Sequence, residues 1–435
     1  MNTPPNGTKK TTAIANIIIV ANAFIWYLIA FNMIRGSLSN INATTHETLL
    51  IIGINTGAIV ISGLIGSFLF DKFKSRSKFL FYWIAIGAIL SILPLGLEIS
   101  NLMHITIISF IFGVYFGIGM PATMGQHAIT TKIEERAKFG GFAFLIIGMI
   151  FSVTGLIIFD NIIISCIILG LVRVSGLVIF YFLRKEGKTV YEKENVKYTT
   201  ILSNRSFFFY FIPWCMFTLV NYMAMPIQTS IFSTELNINT LMAAEYVITA
   251  IFAVISGFIA DKIGRKRLAI IGFIMLGIGY AVNGLFSGSN IFLTSIIYIV
   301  ADGIAWGIFY VLFIFTIWGD LANEKAADKI YFLGVLPYVS SYFMQLLLHP
   351  YLAGIQKEMI FSFASVFLFL AVLPLIYAPE TLPEKIMKDR DLRSYIEKAK
   401  KKAAQDAEKG AKKPITKNKK EDEYQEAKKL AEKYY

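Results

Sequence analysis

Cysteine is scarce in this sequence. Two are present, Cys166 and Cys215, and each lies inside an apolar stretch. They offer neither a disulfide framework nor a zinc site. The histidines form no cluster with the spacing of metal ligands. We therefore expect no bound metal and no cofactor.

Charged residues are also sparse, at 16% of the 435 residues, whereas hydrophobic residues make up 56%. The mean hydropathy of +0.61 is too high for an ordinary soluble enzyme and indicates a polytopic membrane protein. The net charge of +12 would suit nucleic acid, but Lys and Arg lie between apolar runs and in one tail, so we expect no nucleic-acid partner. No nucleophile, base and orienting group occur together, and we expect no enzyme.

Twelve apolar runs are long enough to cross a bilayer, which takes about 20 residues of helix. The runs cover residues 13–34, 48–70, 79–97, 104–126, 139–159, 162–183, 206–228, 242–260, 268–286, 291–318, 331–350 and 358–378. The first is longer than the core of a signal peptide and has no clear small-residue cleavage site, so we expect a retained helix.

Lys and Arg indicate the orientation, because they resist translocation. They are concentrated in alternate connections, and the opposite connections carry only Arg35 and Lys357. This asymmetry predicts cytoplasmic termini in a multi-pass protein of the cell membrane. The segment after Pro379 is too rich in charge to bury a core and is expected to be a solvated tail.

An internal repeat divides the chain. Asp71-Lys72 and Asp261-Lys262 each lie between the second and third runs of a set of six. The sequence predicts an all-α membrane protein of twelve helices in two six-helix halves, a plan that places a solute site between the halves. The expected segments are a cytoplasmic N-terminus (1–12), an N-terminal half (13–183), a cytoplasmic linker (184–205), a C-terminal half (206–378) and a charged cytoplasmic tail (379–435).

The stretch from Gly257 to Arg267 resembles the Gly-x-x-x-Asp-Arg-x-Gly-Arg-Lys signature of the major facilitator superfamily, with Lys262 in place of the usual Arg. Pro379-Glu-Thr resembles the ending of its sugar porter and metabolite symporter branches. The first-half copy is degraded, since Ser67 stands where the first Gly is usual. The resemblance implies a hairpin gating motif, made of Gly257, Asp261, Lys262, Gly264 and Arg265, with Asp71 and Lys72 as its first-half counterparts.

Asp302 is the sharpest candidate for a binding residue, because an acid inside a spanning helix usually faces a cavity or a partner. Tyr298, Trp306 and Tyr310 share its helical face. Together they would form an anionic spot with aromatic walls for a cation, a proton or a sugar-like ring. The alternative is a buried Asp that only bonds a neighbouring helix.

Six more candidate residues with polar groups lie in the first, seventh and eleventh predicted helices: Trp214, Asn221, Gln228, Asn22, Trp26 and Gln345. They would bind a hydroxylated ligand, or else join helices through contacts of about 1 kcal/mol each. Arg173 lies in the sixth run, where an Arg facing lipid would cost at least about 2.5–3.5 kcal/mol. It must pair inward or reach the membrane surface.

These features predict a transporter that moves a small polar organic solute, such as a sugar, a polyol or another metabolite, by alternating access. The expected partners are this solute, protons and the lipid bilayer, and we expect a monomer. Usual proton-coupling groups of the N-terminal half are missing, since Gly113 stands where many members carry Arg. The alternatives are a sensor or scaffold with the same fold, or an exporter of organic cations or drugs.

The two hairpins give a first test. Because the second copy is intact and the first is degraded, Asp261→Asn should reduce transport more than Asp71→Asn does. Uptake by each variant in liposomes measures the difference, and equal losses would contradict the prediction.

Overall fold

The computed structural model describes residues 10–69, 76–156, 161–183, 196–235, 238–286, 291–322, 326–352, 354–383, 387–388, 392, 396 and 398–402. The described part of the chain is 91% helical and contains no strand. The chain forms two units, Met1–Leu382 and Pro383–Tyr435. Asp71 and Lys72 of the first predicted hairpin lie outside the described residues.

The longer helices of the first unit are α1 (Lys10–Asn40), α2 (Thr45–Leu69), α3 (Arg76–Leu90), α4 (Leu102–Thr130), α5 (Arg136–Leu156), α6 (Ile162–Leu183), α8 (Arg205–Glu235), α9 (Ile238–Ile263), α10 (Arg265–Phe286), α11 (Ile291–Phe309), α13 (Ala327–Leu352) and α14 (Lys357–Leu370). Short helices are α7 (Tyr198–Leu202), α12 (Ile317–Leu321) and α15 (Val372–Tyr377), with 3₁₀ turns at Leu93–Gly96 and Ile133–Glu135.

Among the described residues, eleven helical segments are long and apolar enough to cross a membrane, which confirms a helical multi-pass membrane architecture. The predicted run 139–159 overlaps α5, a helix of 21 residues that is not among those eleven. α11 continues through a π-helical segment, Tyr310–Thr316, into α12, and together they form the span Phe292–Leu321.

Polar caps fix where several helices begin. At α2, Glu47 accepts a hydrogen bond from the Thr44 backbone nitrogen at 2.7 Å, and the Thr44 hydroxyl accepts one from the Glu47 backbone nitrogen at 3.3 Å. This reciprocal arrangement is a capping box. Asn101 and Asn161 accept hydrogen bonds from the first backbone nitrogens of α4 and α6. The caps satisfy donors that a helix start would leave unpaired.

Glycines let α5 lie directly against α9. A Cβ atom on Gly141 would lie 2.6 Å from the carbonyl oxygen of Ala253, and one on Gly257 would lie 2.6 Å from that of Ala137. Helices in membranes associate closely where small residues allow their backbones to approach. Gly257, the first residue of the hairpin motif, is therefore a helix-packing glycine.

This contact gives the second prediction. Gly257→Ala should lower the free energy of unfolding by about 1–3 kcal/mol, because the added methyl group has no room. Gly170→Ala in α6 is the matched control, since a Cβ atom there meets no heavy atom within 4 Å, and it should stabilise by about 0.5–1 kcal/mol. Thermal unfolding in detergent compares them, and shifts of the same sign would refute the packing role.

Candidate functional site

A cavity of about 420 Å³ lies between α1, α5, α8, α9, α11 and α13. Its volume is in the usual range for a small-molecule site. Seven aromatic residues with polar groups line it: Tyr27, Tyr222, Tyr246, Trp306, Tyr310, Tyr338 and Tyr342. The lining therefore combines apolar ring faces with a few hydroxyl groups.

Two acidic side chains from different helices meet in this cavity. Asp302 of α11 is 3% exposed and makes polar side-chain contacts with Glu245, Tyr298 and Trp306. Its Oδ1 atom is buried and has no hydrogen-bond partner in the described chain. Glu245 of α9 also lines the cavity. Sequence reasoning did not select Glu245, although it was an acid inside an apolar run, as Asp302 was.

Trp306 and Tyr310 stack on each other, with ring centroids 4.8 Å apart. Tyr310 also stacks on Phe144 of α5 at 4.1 Å, and its hydroxyl lies 2.9 Å from that of Tyr338 in α13. Three helices thus fix one aromatic wall. Both Trp306 and Tyr310 lie on the cavity surface with Asp302, as their shared helical face predicted.

The π-helical segment shapes the cavity next to this wall. The Thr316 hydroxyl donates to the Val311 carbonyl at 2.6 Å, and the Trp318 indole nitrogen donates to the Phe313 carbonyl. These bonds satisfy carbonyl groups in the widened turns. Ile314 and Phe315, inside the segment, line the cavity. π-helical turns of this kind are frequent at functional sites.

Asn221 lines the cavity, whereas Tyr298 lies behind it. The Asn221 side-chain oxygen accepts a hydrogen bond from the Tyr280 hydroxyl at 3.2 Å. Tyr298 is fully buried, and its hydroxyl donates to that of Tyr280 at 3.4 Å. The polar edge of the cavity is therefore supported by a second layer of tyrosines.

The cavity lining does not include Trp214 or Gln345. Trp214 is fully buried and donates to the Gly334 carbonyl at 2.9 Å, which joins α8 to α13. Gln345 is half-buried in α13, and its Oε1 atom has no hydrogen-bond partner in the described chain. The side chain of Gln228 lies outside the described residues.

Arg173, Asn22 and Trp26 form a separate buried cluster within α1, α3, α4 and α6. Arg173 donates to the Asn22 side-chain oxygen at 2.8 Å. Its guanidinium carbon lies 5.0 Å from the ring centroid of Trp26, 4.5 Å from that of Trp83 and 5.2 Å from that of Tyr115. The Arg therefore turns inward, where aromatic faces stabilise its charge.

A layer of buried ion pairs lies at the start of α5 and joins it to α10 and α12. Asp320 of α12 lies 2.6 Å from Arg136 of α5 and 3.0 Å from Arg265 of α10, and these three side chains are 0–1% exposed. Arg265 also lies 2.9 Å from Asp261, and Asp261 accepts a hydrogen bond from the Lys138 backbone nitrogen at 2.9 Å. Asp261 thus joins the start of α5 to the predicted hairpin.

The hairpin turns at Gly264, which has a φ angle of +102° that a glycine adopts without strain. Glu380, in the Pro-Glu-Thr ending, accepts hydrogen bonds from the backbone nitrogens of Arg265 and Lys266 at 2.8 and 3.1 Å. It caps the start of α10. Lys262 is exposed.

A further ion pair lies at the same end. Arg76, at the start of α3, forms two hydrogen bonds with Asp328, at the start of α13, at 2.6 and 2.7 Å. On α5, about two turns separate Arg136 of the ionic layer from Phe144 of the cavity, or about 12 Å along the helix. The same helices thus carry the cavity at one depth and the ion pairs at another.

Comparison with protein-family models and with curated proteins found no match. The class that the structure defines is a helical polytopic membrane protein.

The ionic layer gives the third prediction. Asp320→Asn should lower the free energy of unfolding by about 3–5 kcal/mol, because it leaves two buried arginines without their carboxylate. Glu135→Gln is the control, since its ion pair with Lys138 is 28–40% exposed and should contribute at most about 1 kcal/mol. Thermal unfolding in detergent measures both, and equal small shifts would rule out a stabilising role for the layer.

Proposed function

We propose that this protein is a secondary transporter of a small polar organic solute, such as a sugar, a polyol or another metabolite, in the cell membrane. Both termini would face the cytoplasm. The observation that carries the proposal is the cavity lined by α1, α5, α8, α9, α11 and α13, together with the buried Asp320 layer, to which α5 contributes Arg136. Alternating access would require that layer to close the site at one end.

Contacts between early and late helices support a movement of two halves. Gly53 and Gly63 of α2 contact Phe343 and Phe332 of α13, and α5 packs on α9 through Gly141. If residues 13–183 and 206–378 form the halves, these two pairs make their interface. Rocking about that interface would close the cavity at one face of the membrane and open it at the other.

The ionic layer would act as the gate in this mechanism. A buried ion pair contributes little net stability, because desolvation offsets most of the Coulomb attraction. Arg136, Arg265 and Asp320 would regain hydration when the layer opened to water. Two conformations of similar free energy are what a solute needs in order to shift the balance between them.

The contact between Glu245 and Asp302 supports a proton as the coupling ion. Two carboxyl groups in contact inside a buried site cannot readily both be charged, so they tend to share one proton. Movement of that proton with or against the solute would drive accumulation. This route would replace the proton-coupling residues that the N-terminal half lacks.

The fourth prediction concerns the cavity. Met225→Trp should reduce solute flux at least tenfold, because Met225 lines the cavity and the larger ring would fill it. The matched control is Met359→Trp, at a position 66% exposed on α14, and it should leave flux unchanged. The assay is uptake into liposomes from a panel of sugars, polyols, organic acids and amines, with and without a pH gradient.

Two results would overturn the proposal. One is flux through Met225→Trp equal to that of the parent protein. The other is no flux of any solute by folded protein, which would favour the sensor or scaffold alternative.

A further inference from the structure

We propose that the ligand of the cavity is an organic cation, bound with its ammonium group at Glu245 and Asp302 and its apolar body against Trp306 and Tyr310. This inference rests on the proposed function and narrows its substrate class. It separates an amine-bearing solute from the uncharged sugars and polyols that the same cavity volume would admit.

The charge of the site is the first argument. Asp302 lines the cavity and is only 3% exposed, and its Oδ1 atom is buried without a hydrogen-bond partner in the described chain. A buried carboxylate oxygen without a partner is costly. An ammonium group would satisfy it with a charge-assisted hydrogen bond.

No basic side chain of the cavity lining, within the described chain, lies among the polar contacts of Asp302. Among the described residues, one basic side chain, that of Arg35, lines the cavity, and it is exposed. Its guanidinium carbon lies 4.6 Å from the ring centroid of Tyr342. The polar side-chain contacts of Asp302 are with Glu245, Tyr298 and Trp306 instead.

The aromatic wall is the second argument. Trp306 contacts Asp302 and stacks on Tyr310, and the Phe217 ring lies edge-on behind Trp306 at 4.6 Å. The Trp306 ring is therefore held rigidly beside the acids. An ammonium group within about 6 Å of an aromatic face gains a cation–π interaction, and an attached hydrocarbon gains apolar contact.

The two acids of the lining favour a cation over an uncharged sugar. A polyhydroxylated ring needs several hydrogen-bonding groups that are not already engaged. The two amides in the lining are Asn32 and Asn221, and Asn221 already accepts from Tyr280. The hydroxyl groups of Tyr310 and Tyr338 bond each other. The carboxyl pair is the strongest polar feature of the cavity.

The fifth prediction compares two probes of the same shape, 2-phenylethylamine and 2-phenylethanol, by titration calorimetry of the full chain in detergent. The amine should bind the parent protein at least tenfold more tightly than the alcohol. Asp302→Asn and Glu245→Gln should each weaken amine binding at least tenfold. Glu98→Gln removes the same charge from an exposed surface residue and should leave amine binding unchanged.

Elution as a single species and an unchanged unfolding temperature without ligand would show that each variant is folded. Equal binding of the amine and the alcohol would overturn the inference, as would unweakened amine binding by folded Asp302→Asn. If only one of the two variants, Asp302→Asn or Glu245→Gln, is folded, its amine affinity alone tests the inference.

Failure of this inference differs from failure of the proposed function. If the protein transports neutral solutes but does not bind the amine, the cation-site inference is wrong and the proposed transport function stands. If it binds the amine in a way that depends on Asp302 but transports no solute, the cation-site inference stands and the proposed transport function is wrong.

Discussion

One buried carboxylate holds two arginines from different helices. Asp320 lies within 3.0 Å of both Arg136 and Arg265, and the Thr381 hydroxyl donates to it at 3.1 Å. Three charges removed from water are tolerated only when each is paired and hydrogen-bonded. Arg136 meets this condition by also donating to the Ala128 carbonyl at 2.7 Å. This condition fixes the relative positions of α4, α5, α10 and α12.

The glycine contacts and the ionic layer reinforce each other. Gly141 and Gly257 bring the backbones of α5 and α9 together, and this approach puts Asp261 beside the first turn of α5. The helix dipole favours a carboxylate at that point. Farther along the same helices, Tyr246 and Phe151 pack edge to face, with ring centroids 5.0 Å apart, and both residues line the cavity. Small residues thus join α5 and α9 at one depth, and large rings from both helices line the cavity at another.

Much of this arrangement can be predicted from the sequence. Apolar runs predict the helices. The hairpin signature singles out Asp261 and Arg265, and in the structure their side chains form an ion pair. Asp302, Trp306, Tyr310 and Asn221 reach the cavity because helical spacing determines which residues share a face. Glu245 was missed because its position beside Asp302 depends on helix packing rather than on spacing within one chain segment. The π-helical turns after Phe309 were also beyond prediction, since they depend on local hydrogen bonds such as that of Thr316.

Two buried residues with ionisable side chains, Arg173 and Asp302, differ in how their surroundings satisfy them. Two nitrogens of Arg173 have no hydrogen-bond partner in the described chain, yet the guanidinium lies within 5.2 Å of three ring centroids. Ring faces are negative and attract a cation, so aromatic residues can complete its environment. The same faces cannot satisfy an anion. The aromatic residues around Asp302 therefore do not satisfy its buried Oδ1 atom, which has no hydrogen-bond partner in the described chain, and the Asp302 residue lines the cavity.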